Sequence, residues 1–217
     1  LAQILFQKGN LDEGMRELEQ AYRYAPHHPE VARELALRYE QAERWADAYT
    51  VWRRLLNEVQ NQPDWRWHSA QCAERLGLWQ EAQADYTELT IVQPEFAPVW
   101  VNLGRVHLAQ GDYEGALSCF TRAIELAPED ANAFFNAGDA LYQLGAYEAA
   151  VETYTAALQR DPYNAQGFFT LGNAFYQMGA YESAMMAYQQ ALTLQPDHQA
   201  ARHNLELLRE QLRERVA

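Results

Sequence analysis

The sequence repeats itself every 34 residues, and this period limits what the chain can fold into more than any other feature. Three successive copies, beginning at Gly104, Gly138 and Gly172, carry Gly, Gly, an aromatic residue, Ala and Pro at matching places. Fainter copies extend toward the N-terminus in the same register without an insertion. A fixed period of this length is typical of a solenoid, in which stacked supersecondary units bury a continuous core.

Each copy contains the signals of a helical hairpin. Two apolar segments with helical spacing are separated by a Gly-x-aromatic sequence and followed by Pro. Glycine can end the first helix in the left-handed conformation, and proline ends the second because it has no amide hydrogen to donate. Asp112 is placed to cap a second helix, and Asp130 and Asn164 to cap the first helices that follow them. Glu43 stands where the other copies have the turn glycine.

This pattern resembles the tetratricopeptide repeat (TPR) family over nearly all 217 residues. The resemblance implies an all-α fold, a right-handed α-solenoid of stacked helix-turn-helix hairpins with a C-terminal capping helix. In this register we expect six repeats without a hinge between them, at residues 1–28, 29–62, 63–96, 97–130, 131–164 and 165–198, and the cap at 199–217. The first repeat is truncated, so we expect the sequence to start inside a helix, as in a part excised from a longer protein.

The charge distribution restricts the class of partner. The net charge is −13, and residues 76–201 hold fifteen acidic and three basic side chains. Nucleic-acid binding requires a basic stripe, so this balance excludes a nucleic-acid partner. Two interpretations of the acidic surface remain. We favour a role in solubility, and the alternative is attraction of a basic partner to the C-terminal half.

Composition and motifs argue against a membrane protein and against an enzyme. No apolar run is long enough to span a bilayer. Cys72 and Cys119 lie in different repeats, and we interpret them as small core residues in a reducing, cytoplasmic compartment rather than as a disulfide or metal pair. The histidines lack metal-ligand spacing and no serine lies in G-x-S-x-G, so we expect no catalytic site, no metal and no cofactor.

The resemblance also implies where a partner binds, because the first helix of each TPR hairpin lines the concave groove that holds the ligand chain. The candidate partner-binding residues occupy these positions in the C-terminal repeats: Asn102, Arg105, Phe135, Asn136, Asp139, Tyr142, Phe169, Thr170, Asn173, Tyr176 and Asn204. Asparagine recurs at the sixth position of three repeats, which is similar to the asparagine ladder of O-GlcNAc transferase TPR domains. An asparagine amide can pair with both groups of a peptide bond.

Four aromatic residues, Phe135, Tyr142, Phe169 and Tyr176, would lie along the same wall and could anchor a partner. The alternative is that some of these rings pack between helices, as aromatic residues at helical spacing commonly do. Trp65 and Trp67 also allow two interpretations: they form a second contact patch for a partner, or they belong to an irregular joint between repeats.

The leading functional prediction is a non-catalytic scaffold or assembly factor that holds an extended peptide or partner protein in the groove. One alternative is a substrate-recruiting arm of a larger enzyme, such as a glycosyltransferase. Another is self-association as a homodimer through the N-terminal end, where Leu1, Ile4 and Leu5 present apolar side chains.

Overall fold

The computed structural model of the protein describes residues 2–7, 9–59 and 61–216, with their side chains except those at positions 3, 4, 215 and 216. Every regular element in these ranges is an α-helix. The helices are Ala2–Gln7 (α1), Leu11–Tyr24 (α2), Pro29–Gln41 (α3), Trp45–Glu58 (α4), Pro63–Arg75 (α5), Trp79–Val92 (α6), Ala97–Gln110 (α7), Tyr113–Leu126 (α8), Ala131–Gln143 (α9), Tyr147–Arg160 (α10), Ala165–Gln177 (α11), Tyr181–Leu194 (α12) and Gln199–Val216 (α13). The prediction of an all-α fold is confirmed.

The chain divides into two compact bodies, Leu1–Pro94 and Glu95–Ala217, which we call the N-terminal and C-terminal bodies. The register alone predicts one array without a hinge, and the contacts between residues divide the chain between Pro94 and Glu95. In both bodies consecutive helices pack as hairpins, and in the C-terminal body α13 packs against α12. From α3 onward the first helix of each hairpin begins 34 residues after the one before, as the repeat predicts.

The turns within the hairpins depend on a left-handed residue. The turn glycines have φ between 72° and 79°, which glycine adopts without steric cost. Glu43 occupies the same turn position with φ 55°, a conformation that is unfavourable for a residue with a β-carbon. The hairpin therefore forms at α3–α4 despite the missing glycine.

Three side chains cap helices at the positions where the sequence predicts them. Asp112 accepts a hydrogen bond from the Gly115 backbone N–H at 3.0 Å, and Asp130 accepts one from Asn132 at 3.0 Å. Asn164 accepts from the Gly167 backbone N–H at 2.8 Å. These contacts satisfy backbone donors that the first turn of a helix leaves unpaired.

From the α3–α4 hairpin onward, the second helix of each hairpin contributes one buried aromatic residue to the core, and Leu18 takes this position in α2. Trp52 and Tyr86 are fully buried in the N-terminal body, as are Phe120, Tyr154 and Tyr188 in the C-terminal body. In the C-terminal body each of these rings lies against a glycine of the first helix. A β-carbon added to Gly138 would approach the Tyr154 ring to 2.5 Å. The two helices of the hairpin can therefore approach closely only because this position lacks a side chain.

Cys72 and Cys119 are buried and not disulfide-bonded, which confirms their interpretation as core residues. None of the described helices combines the length and apolar character needed to cross a bilayer.

Candidate binding cleft

Two neighbouring cavities open between the first helices of the C-terminal body. The first has a volume of about 490 Å³ and is lined by Leu108, Tyr113, Asp139, Tyr142, Gln143, Tyr154, Thr170 and Asn173. The second has a volume of about 360 Å³ and is lined by Tyr142, Asn173, Tyr176, Gln177, Tyr188, Asn204, Leu207, Leu208 and Gln211. Because Tyr142 and Asn173 line both cavities, we treat the two as one cleft, which runs from α7 to α13.

The cleft brings together six of the eleven residues that the sequence suggests as partner contacts. These six are Asp139, Tyr142, Thr170, Asn173, Tyr176 and Asn204. The other five, Asn102, Arg105, Phe135, Asn136 and Phe169, do not appear in its described lining.

The two phenylalanines pack between helices. Phe135 on α9 lies against Gly167 on α11 and against the cluster around Tyr154. The Phe169 ring centroid lies 6.0 Å from that of Tyr188 and 5.0 Å from that of His198. Both rings therefore contact neighbouring helices, and their role in binding a partner stays a prediction.

The recurring asparagines have different surroundings. Asn102 Oδ1 accepts a long hydrogen bond of 3.4 Å from Arg105. The amide nitrogen of Asn204 donates to Asn173 Oδ1 at 3.1 Å, so this amide is already engaged within the protein. Asn136 on α9 is partly buried. The three amides therefore differ in burial and in the hydrogen bonds that they already make within the protein. Their recurrence in the sequence does not reveal this difference.

Tyrosine hydroxyls from the second helices fix the polar side chains at the floor of the cleft. Tyr154 donates to Asp139 Oδ1 at 2.6 Å, and one repeat later Tyr188 donates to Asn173 Oδ1 at 2.8 Å. Burial raises the pKa of Asp139 above its usual value, although the hydrogen bond from Tyr154 lowers it. Burial likewise raises the pKa of the Tyr154 phenol, so this hydroxyl remains a donor.

The walls of the cleft are formed by tyrosines that repeat with the 34-residue period. Tyr142 packs edge-on against Tyr147, with ring centroids 5.4 Å apart, and Tyr176 packs against Tyr181 at 5.7 Å. Tyr176 remains 39% exposed. These contacts hold each ring from one side and leave it available to a ligand from the cleft.

Glutamine is the cleft residue that the sequence analysis missed. Gln143, Gln177 and Gln211 recur one repeat apart, and all three line the cleft. The Gln177 amide donates to the Tyr142 hydroxyl at 3.3 Å, and the Tyr176 hydroxyl lies 3.5 Å from Gln211 Oε1. Their shared spacing, directly after the tyrosine in two of the three cases, is a signal that could have identified them.

The N-terminal body uses the tyrosine positions differently. Glu40 and Glu74 stand where Tyr142 and Tyr176 stand in the later repeats. The Trp52 indole N–H donates to Glu40 at 2.6 Å, and the Tyr86 hydroxyl donates to Glu74 at 3.2 Å. This body therefore presents carboxylates, each tied to its own core ring, where the cleft presents tyrosine rings.

The two tryptophans suggested as a second contact patch, Trp65 and Trp67, pack against other residues of the N-terminal body. Trp65 packs against the core cluster around Trp52, and the Trp67 ring meets Tyr86 edge-on at 5.8 Å. Of the residues suggested for self-association, Leu1 and the side chain of Ile4 lie outside the described residues. That alternative stays a prediction.

Comparison with known proteins agrees with this architecture. Sequence models of the tetratricopeptide repeat match residues 5–72, 101–165 and 165–198. Among curated proteins, none matches this sequence.

Solved structures of TPR proteins superimpose on most of the chain. YrrB, described as a TPR protein with an unusual peptide-binding site, is 20% identical and has a TM-score of 0.72 over 87% of this chain and 97% of its own. MamA 41-end from Desulfovibrio magneticus RS-1 is 19% identical, with a TM-score of 0.74 over 78% of this chain and 96% of its own. TTC0263, a thermophilic TPR protein in Thermus thermophilus, is 21% identical, with a TM-score of 0.62 over 83% and 98%.

At these identities the structural likeness establishes the fold, and the sequence models establish the family. The chain belongs to the tetratricopeptide repeat family, whose repeats form protein-interaction scaffolds.

Proposed function

We propose that the C-terminal body binds an extended peptide segment of a partner protein in the cleft between α7 and α13. The observation that carries this proposal is the repetition of tyrosine and glutamine along the cleft. Tyr142 and Tyr176 lie one repeat apart and each contacts a glutamine of the following repeat. A solenoid that offers the same pair of groups at regular intervals suits a ligand that is itself regular, such as an extended backbone.

Two kinds of side chain in the cleft would contribute to peptide binding in different ways. Tyrosine rings supply large contact areas at a small cost in conformational entropy, and they are enriched among the residues that dominate binding energy. Glutamine and asparagine amides offer both donors and acceptors to backbone groups. Such contacts do not depend on the sequence of the bound segment. The description of YrrB as a peptide-binding TPR protein is consistent with this use of the fold.

The proposal is tested by selecting ligands from a random peptide library displayed on phage, with the purified protein as bait. Selected peptides are then synthesised and titrated against the protein and against Tyr142→Ala and Tyr176→Ala. Loss of an anchoring ring should weaken binding about 30-fold. Tyr163→Ala is the matched control, because Tyr163 lies in the same body but is 81% exposed and does not line the cleft.

Selected peptides that bind both cleft variants as tightly as the unchanged protein would overturn the proposal. Circular dichroism of each variant checks that the helices remain intact, so a loss of binding can be assigned to the cleft.

A further inference from the structure

Asp139 is the single ionisable group other than tyrosine in the described lining of the cleft. It lies on α9, and Tyr113, Tyr142 and Tyr154 line the same cavity. Within the described part of the chain, no ion pair joins a cationic side chain to its carboxylate. A carboxylate that is partly buried without a cation keeps an uncompensated charge, which costs free energy.

The next repeat shows that this charge is not needed to hold the tyrosine in place. Asn173 occupies the position of Asp139 one repeat later, and it accepts the hydrogen bond from Tyr188 as Asp139 does from Tyr154. The two acceptors perform the same structural task, and only one of them is charged. The hydrogen bond from Tyr154 therefore explains why residue 139 has an acceptor oxygen, but it does not explain why the side chain is a carboxylate rather than an amide.

The surroundings of this carboxylate favour a cation. Tyr113 and Tyr142 are partly exposed to the cavity, and aromatic rings attract cations through the negative charge of their faces. The whole C-terminal body carries fifteen acidic and seven basic side chains, which gives a net charge of −8. Such a field draws cationic ligands toward the body before contact. Burial also raises the pKa of Asp139, and a bound cation would relieve that cost.

We propose that the cavity around Asp139 receives a cationic side chain, arginine or lysine, of the peptide that lies in the cleft. The carboxylate pairs with the cation, and the rings of Tyr113 and Tyr142 border the cation. The neighbouring cavity around Tyr176 has no charged residue in its described lining, and it receives an uncharged part of the same peptide. This inference rests on the proposed peptide binding and adds a selectivity to it. A guanidinium suits the site well, since it can donate hydrogen bonds to a carboxylate and stack on an aromatic ring at the same time.

The first experiment repeats the library selection with two further baits. Asp139→Asn removes the charge and keeps the acceptor for Tyr154, in the arrangement that Asn173 already shows. Asp197→Asn removes one negative charge from an exposed position of the same body, away from the cleft. We expect peptides selected by the unchanged protein and by Asp197→Asn to be enriched in arginine or lysine, and those selected by Asp139→Asn to lose that enrichment.

The second experiment compares a selected peptide with a variant in which its cationic residue is replaced, arginine by citrulline or lysine by acetyl-lysine. Citrulline keeps the length and shape of the arginine side chain, acetyl-lysine keeps the lysine stem and adds an acetyl group, and both remove the charge. Because charge-assisted hydrogen bonds contribute more than neutral ones, the cationic peptide should bind the unchanged protein about ten-fold more tightly at a fixed salt concentration. With Asp139→Asn the two peptides should bind equally.

The outcomes separate this inference from the function on which it rests. Selected peptides that lack cationic residues, or that keep them with Asp139→Asn, overturn the cation site. If such peptides still depend on Tyr142 and Tyr176, the peptide cleft stands. If no peptide is selected, or none depends on the cleft tyrosines, both proposals fail.

Discussion

The ring of Phe135 fills the space that a side chain on Gly167 would need. A β-carbon added to Gly167 would lie 2.5 Å from Phe135 Cε1 and 3.1 Å from Leu158 Cδ2. Phe135 belongs to α9 and Gly167 to the first helix of the next hairpin, so this contact joins consecutive repeats. The absence of a side chain at position 167 sets how closely α9 and α11 can pack.

Gly167→Ala should therefore lower the free energy of unfolding by about 1–3 kcal/mol, because the added methyl group overpacks the junction. The measurement is a shift of the urea midpoint at unchanged slope. Phe135→Leu in the same chain should recover part of the loss, since it removes the atoms that the methyl group meets. An alanine at an unobstructed helical glycine would instead stabilise by about 0.5–1 kcal/mol, and that sign would contradict the contact.

The turn at Glu43 allows a prediction of the opposite sign. Its left-handed φ of 55° costs a residue with a β-carbon about 1 kcal/mol, and the matching turns use glycine. Glu43→Gly should raise the thermal midpoint of the protein by an amount equivalent to this cost. Gly111→Ala is the matched control, because a β-carbon there meets nothing within 4 Å and only the left-handed φ of 79° opposes it. It should destabilise by about 1 kcal/mol, and a neutral result in both variants would show that these turns relax without cost.

Asp85 should be the most sensitive charged residue in the N-terminal body. Only 2% exposed, it accepts hydrogen bonds from Ser69 at 2.8 Å, Arg66 at 3.0 Å and Arg53 at 3.1 Å. Asp85→Ala should cost about 1–3 kcal/mol in urea denaturation, because it leaves the buried Ser69 hydroxyl and two partly exposed guanidinium groups without their acceptor.

The exposed ion pair between Asp47 and Arg44, 2.7 Å apart, is the control for Asp85. Asp47→Ala should change stability by less than about 1 kcal/mol, since solvent screens this pair. Comparable losses for the two alanine variants would show that burial of Asp85 does not govern its contribution.

The raised pKa of Asp139 predicts a pH-dependent effect of Asp139→Asn in the absence of any ligand. An acid whose folded-state pKa exceeds the unfolded value favours folding when protonated, and this contribution is lost as the pH rises through the folded-state pKa. At neutral pH the asparagine variant should consequently be more stable than the unchanged protein. Its advantage should disappear as the pH falls below the ordinary range of an aspartate. Urea titrations over this pH range would contradict the prediction if the variant were less stable at pH 7.

Much of the fold could be predicted from the sequence because its signals are local. The turn glycines and the caps Asp112, Asp130 and Asn164 act on backbone groups within three residues. The 34-residue period predicts where the next hairpin begins, since successive hairpins repeat similar contacts. Register alone did not show the division into two compact bodies, which depends on contacts between helices.

The cleft was harder to predict because it depends on contacts across repeats. Phe135 and Tyr142 look equivalent as aromatic residues of one helix, yet the first packs against Gly167 and the second borders the cleft. Which of them is covered depends on how closely α9 and α11 pack. The amide of Asn204 is engaged by a residue 31 positions earlier, which equal spacing in the sequence cannot reveal.

Every core ring except Phe120 donates a hydrogen bond to the first helix of its hairpin, and the position of the acceptor has a consequence for how the repeats can diverge. In the N-terminal body the ring reaches a glutamate three positions further along the first helix than the acceptor it reaches in the C-terminal body. Moving that one acceptor releases a surface position, which tyrosine then occupies at Tyr142 and Tyr176. The repeats can in this way keep a similar core while the position of the hydrogen-bond acceptor on the first helix differs. That position decides which repeats carry a tyrosine ring at the surface and which carry a carboxylate.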